Sequence, residues 1–358
     1  MKKKIVIIGT NGIPAQYGGF ETLAENLALN LSNKYDVTVF CSKKQKQRYG
    51  KKWYKNCKLI YLPLDANGFQ SIIYDMISII YSHIMCDIII LLGAPHASFT
   101  LINIILKKKL IVNYGGYKEW ERKKNLISRK WAYINSYIAT KTSTYNIGDN
   151  KAVADSLMEE FKAEVNVIPY GGDHTKRQEP QNKEIEKYPF LKNKYFLSVS
   201  RAQKDNNIHI IIDAFLELED TIVIVSNWEK SKYGKDIYKK YKNSYSNILL
   251  LSAIYDKKEL DVIRSSSFAY IHSHSMCGTA PSLVEAMSLK LPIISYDVKS
   301  NRYTTNDKAF YFKDYKDIIN IIKTKNKTEY SVNSQEMSRI AQDNYTWRNV
   351  FSMYEKMI

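Results

Sequence analysis

Cysteine is scarce in this chain of 358 residues, and what there is forms no pattern. Cys41, Cys57, Cys86 and Cys277 are scattered, with no CxxC pair, which excludes a disulfide framework and a cysteine-rich zinc module. Cys41 and Cys86 border apolar runs and read as small core residues. Long hydrophobic runs are missing too. The most apolar zone, Ser71 to Leu92, is interrupted by Asp75, His83 and Asp87. No segment therefore reaches the roughly 20 apolar residues of a membrane span. The apolar run after the N-terminal lysines is short and leads into a glycine turn, so it reads as a strand and not a signal peptide. A cytoplasmic location is the expectation that fits these absences. Acid is missing where base is densest. No Asp or Glu lies between Val37 and Leu64, where Lys43, Lys44, Lys46, Arg48, Lys51, Lys52, Lys55 and Lys58 accumulate. Aromatic rings are not interleaved there as stacking platforms, which argues against nucleic acid.

What is present is a strong positive balance and a regular alternation. The net charge is +17, and residues 1–170 hold 24 Lys or Arg against 13 Asp or Glu. Such an excess suits an anionic membrane surface or another polyanion, or a merely solvated lysine-rich face. Apolar strands at 4–9, 37–41, 59–62, 88–93, 110–114 and 165–168 alternate with helical patterns at 18–31, 69–85, 99–106 and 150–161. Asp149 or Asn150 is placed to cap the last of these. The polar stretch 174–190 contains two prolines and no apolar period, and reads as a linker. Alternation then resumes, with strands at 195–200, 221–226, 248–251 and 268–272 and helices at 207–218, 232–243 and 257–265. A helical stretch, 334–357, closes the sequence. The pattern predicts an α/β protein of two parallel-sheet domains, 1–173 and 191–340. Residues 341–358 are expected to pack back toward the first domain. Ligands of open α/β sheets bind beyond the carboxyl ends of the strands, so a cleft between the domains is expected.

The segment Ile271 to Asp297 carries the most chemistry. It predicts a buried strand, a turn of small residues (Gly278, Thr279, Ala280, Pro281, Ser282), a helix and a second strand. Pro281 suits the first helical position, where a missing N–H costs nothing. The amides around Gly278, Thr279, Ser282 and Leu283, with the positive end of the helix, form a candidate anion site. Glu285 lies too deep to cap the helix and is free to accept hydrogen bonds from sugar hydroxyls. Phosphate on amides and hydroxyl on a carboxylate is the chemistry of holding a nucleotide. Arg201 follows a strand end and is a candidate diphosphate clamp, with Lys204 a weaker one.

Other motifs are less committed. The first turn, Gly9 to Glu21, is not GxGxxG, and the next strand ends Phe40-Cys41-Ser42-Lys43 without the acid that holds a ribose. Both departures argue against a dinucleotide oxidoreductase. Gly18 and Gly19 allow close backbone approach by a ligand. Tyr137 and Lys141 match a YxxxK spacing, which 28 tyrosines make unremarkable. His272 and His274 share one face of a strand, but a third metal ligand is not expected beside them, Cys277 notwithstanding. The loop holding Tyr117, Glu119, Trp120 and Arg122 reads either as an acceptor-binding wall or as a Trp packed beneath a loop.

Together these stretches resemble the GT-B glycosyltransferases of family 4, and more narrowly the bacterial polysaccharide rhamnosyltransferases. The resemblance is carried by IVIIGTNGIPAQYGGFETLAENLA, VIPYGGD, SVSRAQKDNNIHIIIDAF and HSHSMCGTAPSLVEAM, which together span most of the chain. It implies two Rossmann-like domains facing each other across a cleft, retention of anomeric configuration, and no cofactor or metal. Glu285 falls on the second glutamate of the family's E-x7-E motif, which binds the ribose, and Cys277 on the first. Arg201 matches the diphosphate-binding arginine, and Asn206 stands in place of its lysine partner. Gly18 and Gly19 match the loop that approaches donor phosphate. Gly115 falls where relatives carry a His or Asp touching the donor sugar, and Glu119 is the candidate substitute. The donor implied is a nucleotide sugar, dTDP-L-rhamnose. The acceptor is a glycan or lipid-diphosphate-linked sugar at an anionic inner-membrane surface, in capsule or O-antigen synthesis. Arg201, Glu285 and Glu119 are the expected catalytic residues. Another UDP- or GDP-sugar, an NADP-dependent sugar-nucleotide oxidoreductase and a non-catalytic sugar-nucleotide binder are the alternatives.

Overall fold

Runs of Ile, Val and Leu become strands because branched side chains pack well on a pleated surface buried on both faces. The computed structural model describes residues 2–15, 18–116, 118–122 and 125–358, the side chains of Glu119 and Arg122 excepted. Two sheets form. The first contains β1 (Lys4–Ile8), β2 (Asp36–Cys41), β3 (Trp53–Tyr54), β4 (Cys57–Tyr61), β5 (Ile88–Leu92), β6 (Lys109–Tyr114), β7 (Tyr145–Gly148) and β8 (Val165–Val167). Its order is β3-β4-β2-β1-β5-β6-β7-β8, and only the short β3 runs antiparallel to its neighbour. The second contains β9 (Tyr195–Val199), β10 (Thr221–Ser226), β11 (Ile248–Ser252), β12 (Ala269–His272), β13 (Ile293–Tyr296) and β14 (Phe310–Phe312), in the order β11-β10-β9-β12-β13-β14, all parallel.

Period-two alternation puts successive side chains on opposite faces of a sheet. In the second sheet Phe196, Ile222, Ile224 and Ile271 enter one core, while Tyr195, Leu197, Val223, Val225 and Tyr270 enter another. Both faces are thus covered by helices. The first sheet pairs Ile5 with Ile88 and Ile7 with Ile90 at its centre. The α/β class with two parallel-sheet Rossmann-like domains is as expected.

The chain divides into two compact units, Met1–Pro169 with Val350–Ile358, and Tyr170–Asn349. The stretch 174–190, read as a linker, belongs to the second unit: Lys176 N–H donates to Asp261 Oδ2 at 3.0 Å and Gln178 N–H to Ser265 Oγ at 3.1 Å. The closing helix is broken. Helix Lys327–Asn344 ends before Tyr345, and a second helix, Trp347–Glu355, follows. Asn150, one of the two expected caps, accepts from Ala152 N–H at 2.8 Å. The helical stretch expected at 99–106 begins as a 3-10 helix, Ala97–Ile102, and becomes α-helical over Asn103–Leu106. Among the described residues, no helix is long and apolar enough to cross a membrane.

Candidate functional site

Strands β9 and β12 are neighbours, with Phe196 beside Ala269 and Leu197 beside Tyr270. From this pair the strand order runs outward in both directions, so the loops after β9 and β12 open a crevice between them. The two loops are stitched together. Ser273 Oγ donates to Asn206 O, Ser275 N–H to Asp205 O at 2.9 Å, and Asn207 Nδ2 to Ser273 O at 3.0 Å. Asn206 is buried, and its amide donates to Arg201 O at 2.7 Å. Asn206 was expected to touch the donor. It is placed instead to fix the backbone that carries Arg201. Arg201 itself is exposed and pairs with no acid among the described residues.

Helix Pro281–Ser288 starts from this crevice, with Pro281 at its first position and no side chain capping it. An uncapped start leaves donors for an anion. Leu283 departs from expectation: its side chain is in the core and its amide donates to Ala280 O at 3.0 Å. The Val284 amide shares that carbonyl at 3.3 Å. Ser282 therefore offers the helix's first amide.

Glu285 sits in the next turn with its side chain 12% exposed. Its Oε2 accepts from Arg264 Nη2, and its Oε1 lies 3.1 Å from His174 Nε2. Trp347 Nε1 donates to His174 Nδ1 at 3.0 Å. Indole is only a donor, so His174 carries its proton on Nε2 and gives it to Glu285. Arg264 also faces Asp261 at 3.5 Å. Burial raises the Glu285 pKa, Arg264 and His174 lower it, and the balance falls below the usual carboxylate range. Glu285 is thus an ionised carboxylate whose two partners, the Arg264 guanidinium and the neutral His174 ring, leave lone pairs for ligand hydroxyls. None of His174, Arg264 and Trp347 was singled out as a partner from sequence. Their one signal was the Gly171-Gly172 pair. A Cβ on Gly172 would lie 2.4 Å from Val284 O, and one on Gly171 would lie 2.7 Å from the Trp347 ring.

The comparisons with known proteins agree with this geometry. Residues 180–336 match the family described as Glycosyl transferases group 1, and residues 2–173 match a domain of unknown function (DUF1972). No curated protein matches the sequence significantly. Among solved structures, Anabaena Alr3699/HepE in complex with UDP and glucose superposes with a TM-score of 0.76 at 13% identity, covering 99% of both chains. Sucrose-phosphate synthase from Thermosynechococcus elongatus gives 0.79 at 13% identity, covering 99% of this chain and 98% of that one. WaaG, a glycosyltransferase involved in lipopolysaccharide biosynthesis, gives 0.71 at 11%, covering 98% and 99%. The chain is a glycosyltransferase with a group 1 domain. The oxidoreductase alternative is set aside.

In this glycosyltransferase several expected site residues fall differently. Trp120 is 8% exposed and stacks edge-on with Tyr133 and Phe161, at 5.8 and 5.2 Å between ring centres. It is a core ring and not an acceptor wall. Tyr117, and the side chains of Glu119 and Arg122, lie outside the described residues. Gly18 has φ 116° and ends the turn before helix Gly19–Leu31, a conformation that favours glycine. Gly115 has a local reason: a Cβ there would lie 2.5 Å from the Phe20 ring, so the space of a larger side chain is already filled. Gly278 and Thr279 are buried in the turn before Pro281. His272, His274 and Cys277 do come together, with candidate ligand atoms within 4.8 Å of one another. This corrects the expectation that no third ligand stands near the histidines. The Cys277 thiol donates to Asn301 Oδ1 at 3.4 Å. Burial, with His274 beside it, holds His272 neutral, well below the usual imidazole range.

Proposed function

We propose that the chain transfers a sugar from a nucleoside diphosphate to a hydroxyl of a growing glycan, retaining anomeric configuration. The observation that carries this reading is the juxtaposition at one strand crossover of an exposed guanidinium, an uncapped helix start and an ionised, oriented carboxylate. Arg201 and the Ser282 amide would stabilise the charge on the departing diphosphate, which is where catalysis of this transfer is decided. Glu285 would accept from the ribose hydroxyls. The anomeric carbon–oxygen bond to the diphosphate breaks and the acceptor oxygen bonds to that carbon on the same face. Its proton passes to the departing phosphate oxygen, so no protein nucleophile and no metal are needed.

The donor we propose is dTDP-L-rhamnose, and the acceptor a lipid-diphosphate-linked sugar on an anionic inner-membrane surface, in bacterial capsule or O-antigen synthesis. The quoted sequence blocks support this choice. A UDP-sugar is the second reading, favoured by the UDP and glucose bound in the HepE structure. A thermal-shift panel of dTDP, UDP, GDP and ADP with their sugars decides between them. Arg201→Ala should then lower transfer by about 10²–10³-fold, the cost of losing one such charge-stabilising group, with an unchanged melting temperature. Near-full activity in that variant, or no shift with any nucleotide, would overturn the reading.

A further inference from the structure

Helix Ser71–Met85 is turned the unusual way round. A surface helix ordinarily buries its apolar stripe and shows its polar one. Here Asp75, Ser78, Ser82 and His83 are buried beside Tyr74 and Ile79, while Ile73, Ile77, Ile80 and Ile84 form an exposed stripe. The two serines are satisfied within the helix, Ser78 Oγ donating to Asp75 O at 3.0 Å and Ser82 Oγ to Ser78 O at 2.5 Å, and His83 Nδ1 lies 2.7 Å from Ile79 O. Helix Leu126–Thr142 repeats the inversion. Ala132, Asn135, Ser136 and Ala139 face in, and Ile127, Trp131 and Ile134 face out. Between the two, helix Asn103–Leu106 buries Asn103 and exposes Ile104 by 62% and Ile105 by 80%. The three are joined through the segment that precedes the middle helix, where Ser71 Oγ lies 3.1 Å from His96 Nε2. Asn135 Oδ1 accepts from Ser98 N–H at 2.6 Å, Asn103 Nδ2 donates to Thr142 O at 2.9 Å, and Trp131 Nε1 donates to His96 Nδ1 at 3.2 Å.

An apolar stripe this large and continuous is made to be covered. Charge says by what. Residues 66–148 hold ten Lys or Arg against four Asp or Glu, and the one acid on these three helices, Asp75, points inward. At the end of the stripe, Ile84 and Met85 border a hollow of about 610 Å³ lined also by Lys2, Lys3, Lys4, Lys108 and Lys109 against the single acid Asp87, with Lys3 and Lys109 donating to Ile358 O. Apolar side chains, an interfacial Trp and a rim of lysines suit the boundary of an anionic bilayer. We propose that the outer face of these three helices inserts into an anionic lipid surface, with lipid phosphate seated at the lysine hollow. This deepens the lipid-linked acceptor reading and rests on it only for its purpose.

The test is flotation of the full chain with vesicles of phosphatidylcholine alone, or mixed with phosphatidylglycerol, at low and high salt. The wild type should float with the anionic vesicles and be only partly released by salt, because insertion is apolar. The double variant Ile104→Glu, Ile105→Glu should lose binding by about tenfold or more, since a charge is poorly tolerated in the acyl region. Both side chains are exposed, so its melting temperature and its nucleotide-induced shift should match the wild type. Wild type that stays with the unbound protein, or a variant that floats equally well, overturns the proposal. So does a wild-type dimer that the variant abolishes, which would make a second copy the occupant. Flotation without any nucleotide shift would sink the transferase substrate reading and leave this one standing.

Discussion

The strand crossovers of the two sheets are built from opposite materials. At β1 and β5 the first unit uses glycine: a Cβ on Gly9 would lie 2.4 Å from Leu92 O, and one on Gly93 would lie 3.3 Å from the Phe20 ring. Backbone and ring fill the space that side chains would take. At β9 and β12 the second unit uses side chains, with Arg201 exposed and Glu285 held between Arg264 and His174. A glycine-built edge can admit a ligand closely but offers it few charges. A side-chain-built edge offers charge in a fixed direction. The difference is why the reading proposed above puts donor chemistry in the second unit, whose residues 180–336 match the group 1 glycosyltransferases.

The sharpest way to break that comparison is Glu285→Ala. Arg264 is buried, and the substitution leaves it facing only Asp261 and solvent-poor surroundings. Removing one partner of a buried pair costs about 3–5 kcal/mol. Urea unfolding followed by fluorescence should show this loss, whereas Arg201→Ala should leave the midpoint in place. Equal midpoints for Glu285→Ala and wild type would mean that the carboxylate is not held as described. Next in size is Gly172→Ala. The new methyl would meet Val284 O at 2.4 Å, a backbone atom that cannot swing aside. Overpacking of this kind costs about 1–3 kcal/mol. Gly115→Ala should cost less, because its obstacle is the Phe20 ring, and Phe20→Leu in the same chain should restore part of the loss.

Much of this organisation is visible in the residues themselves. Strands β1, β5 and β10 are runs of Ile, Val and Leu, β9 is the apolar-rich YFLSV, and Arg201 declares itself by following β9. Pro281 announces the helix start. Helix Leu126–Thr142 escaped the reading for a physical reason. Its apolar residues are interrupted by Ser128, Arg129, Lys130, Asn135, Ser136 and Lys141, so no strong apolar period stands out, unlike that of helix Ser71–Met85. The partners of Glu285 escaped it because they are distant in sequence. His174 stands in a polar stretch without apolar period, and only folding brings it to the helix that carries Glu285. Trp120 misled because a Trp in a glycine-rich loop serves a sugar site and a core equally well, and only its contacts with Tyr133 and Phe161 decide.

The smallest expected effect concerns Asp75, the buried acid beneath the inverted helices of the first unit. Burial pushes its pKa up to about 7. The His96 ring, whose Nδ1 accepts from Trp131, faces it with Nε2 4.0 Å away. The sign runs opposite to that of Glu285, whose partners hold it ionised. In the unfolded chain the Asp75 carboxyl loses its proton near the ordinary value of 3.8, while the folded protein keeps it to about 7. Across that interval the folded state binds more protons than the unfolded one, so stability falls as pH rises. The slope is at most about 1.4 kcal/mol per pH unit for one proton. Partial access to water and the nearby imidazole reduce the total to about 1–2 kcal/mol. Asp75→Asn keeps the shape without the charge. It should therefore match wild type at pH 4, exceed it in unfolding midpoint at pH 8, and flatten the profile between. A variant less stable than wild type at pH 8 would show that the carboxylate is ionised and held by His96. The acid would then join the two edges in a common design, with charge fixed by a partner in both units.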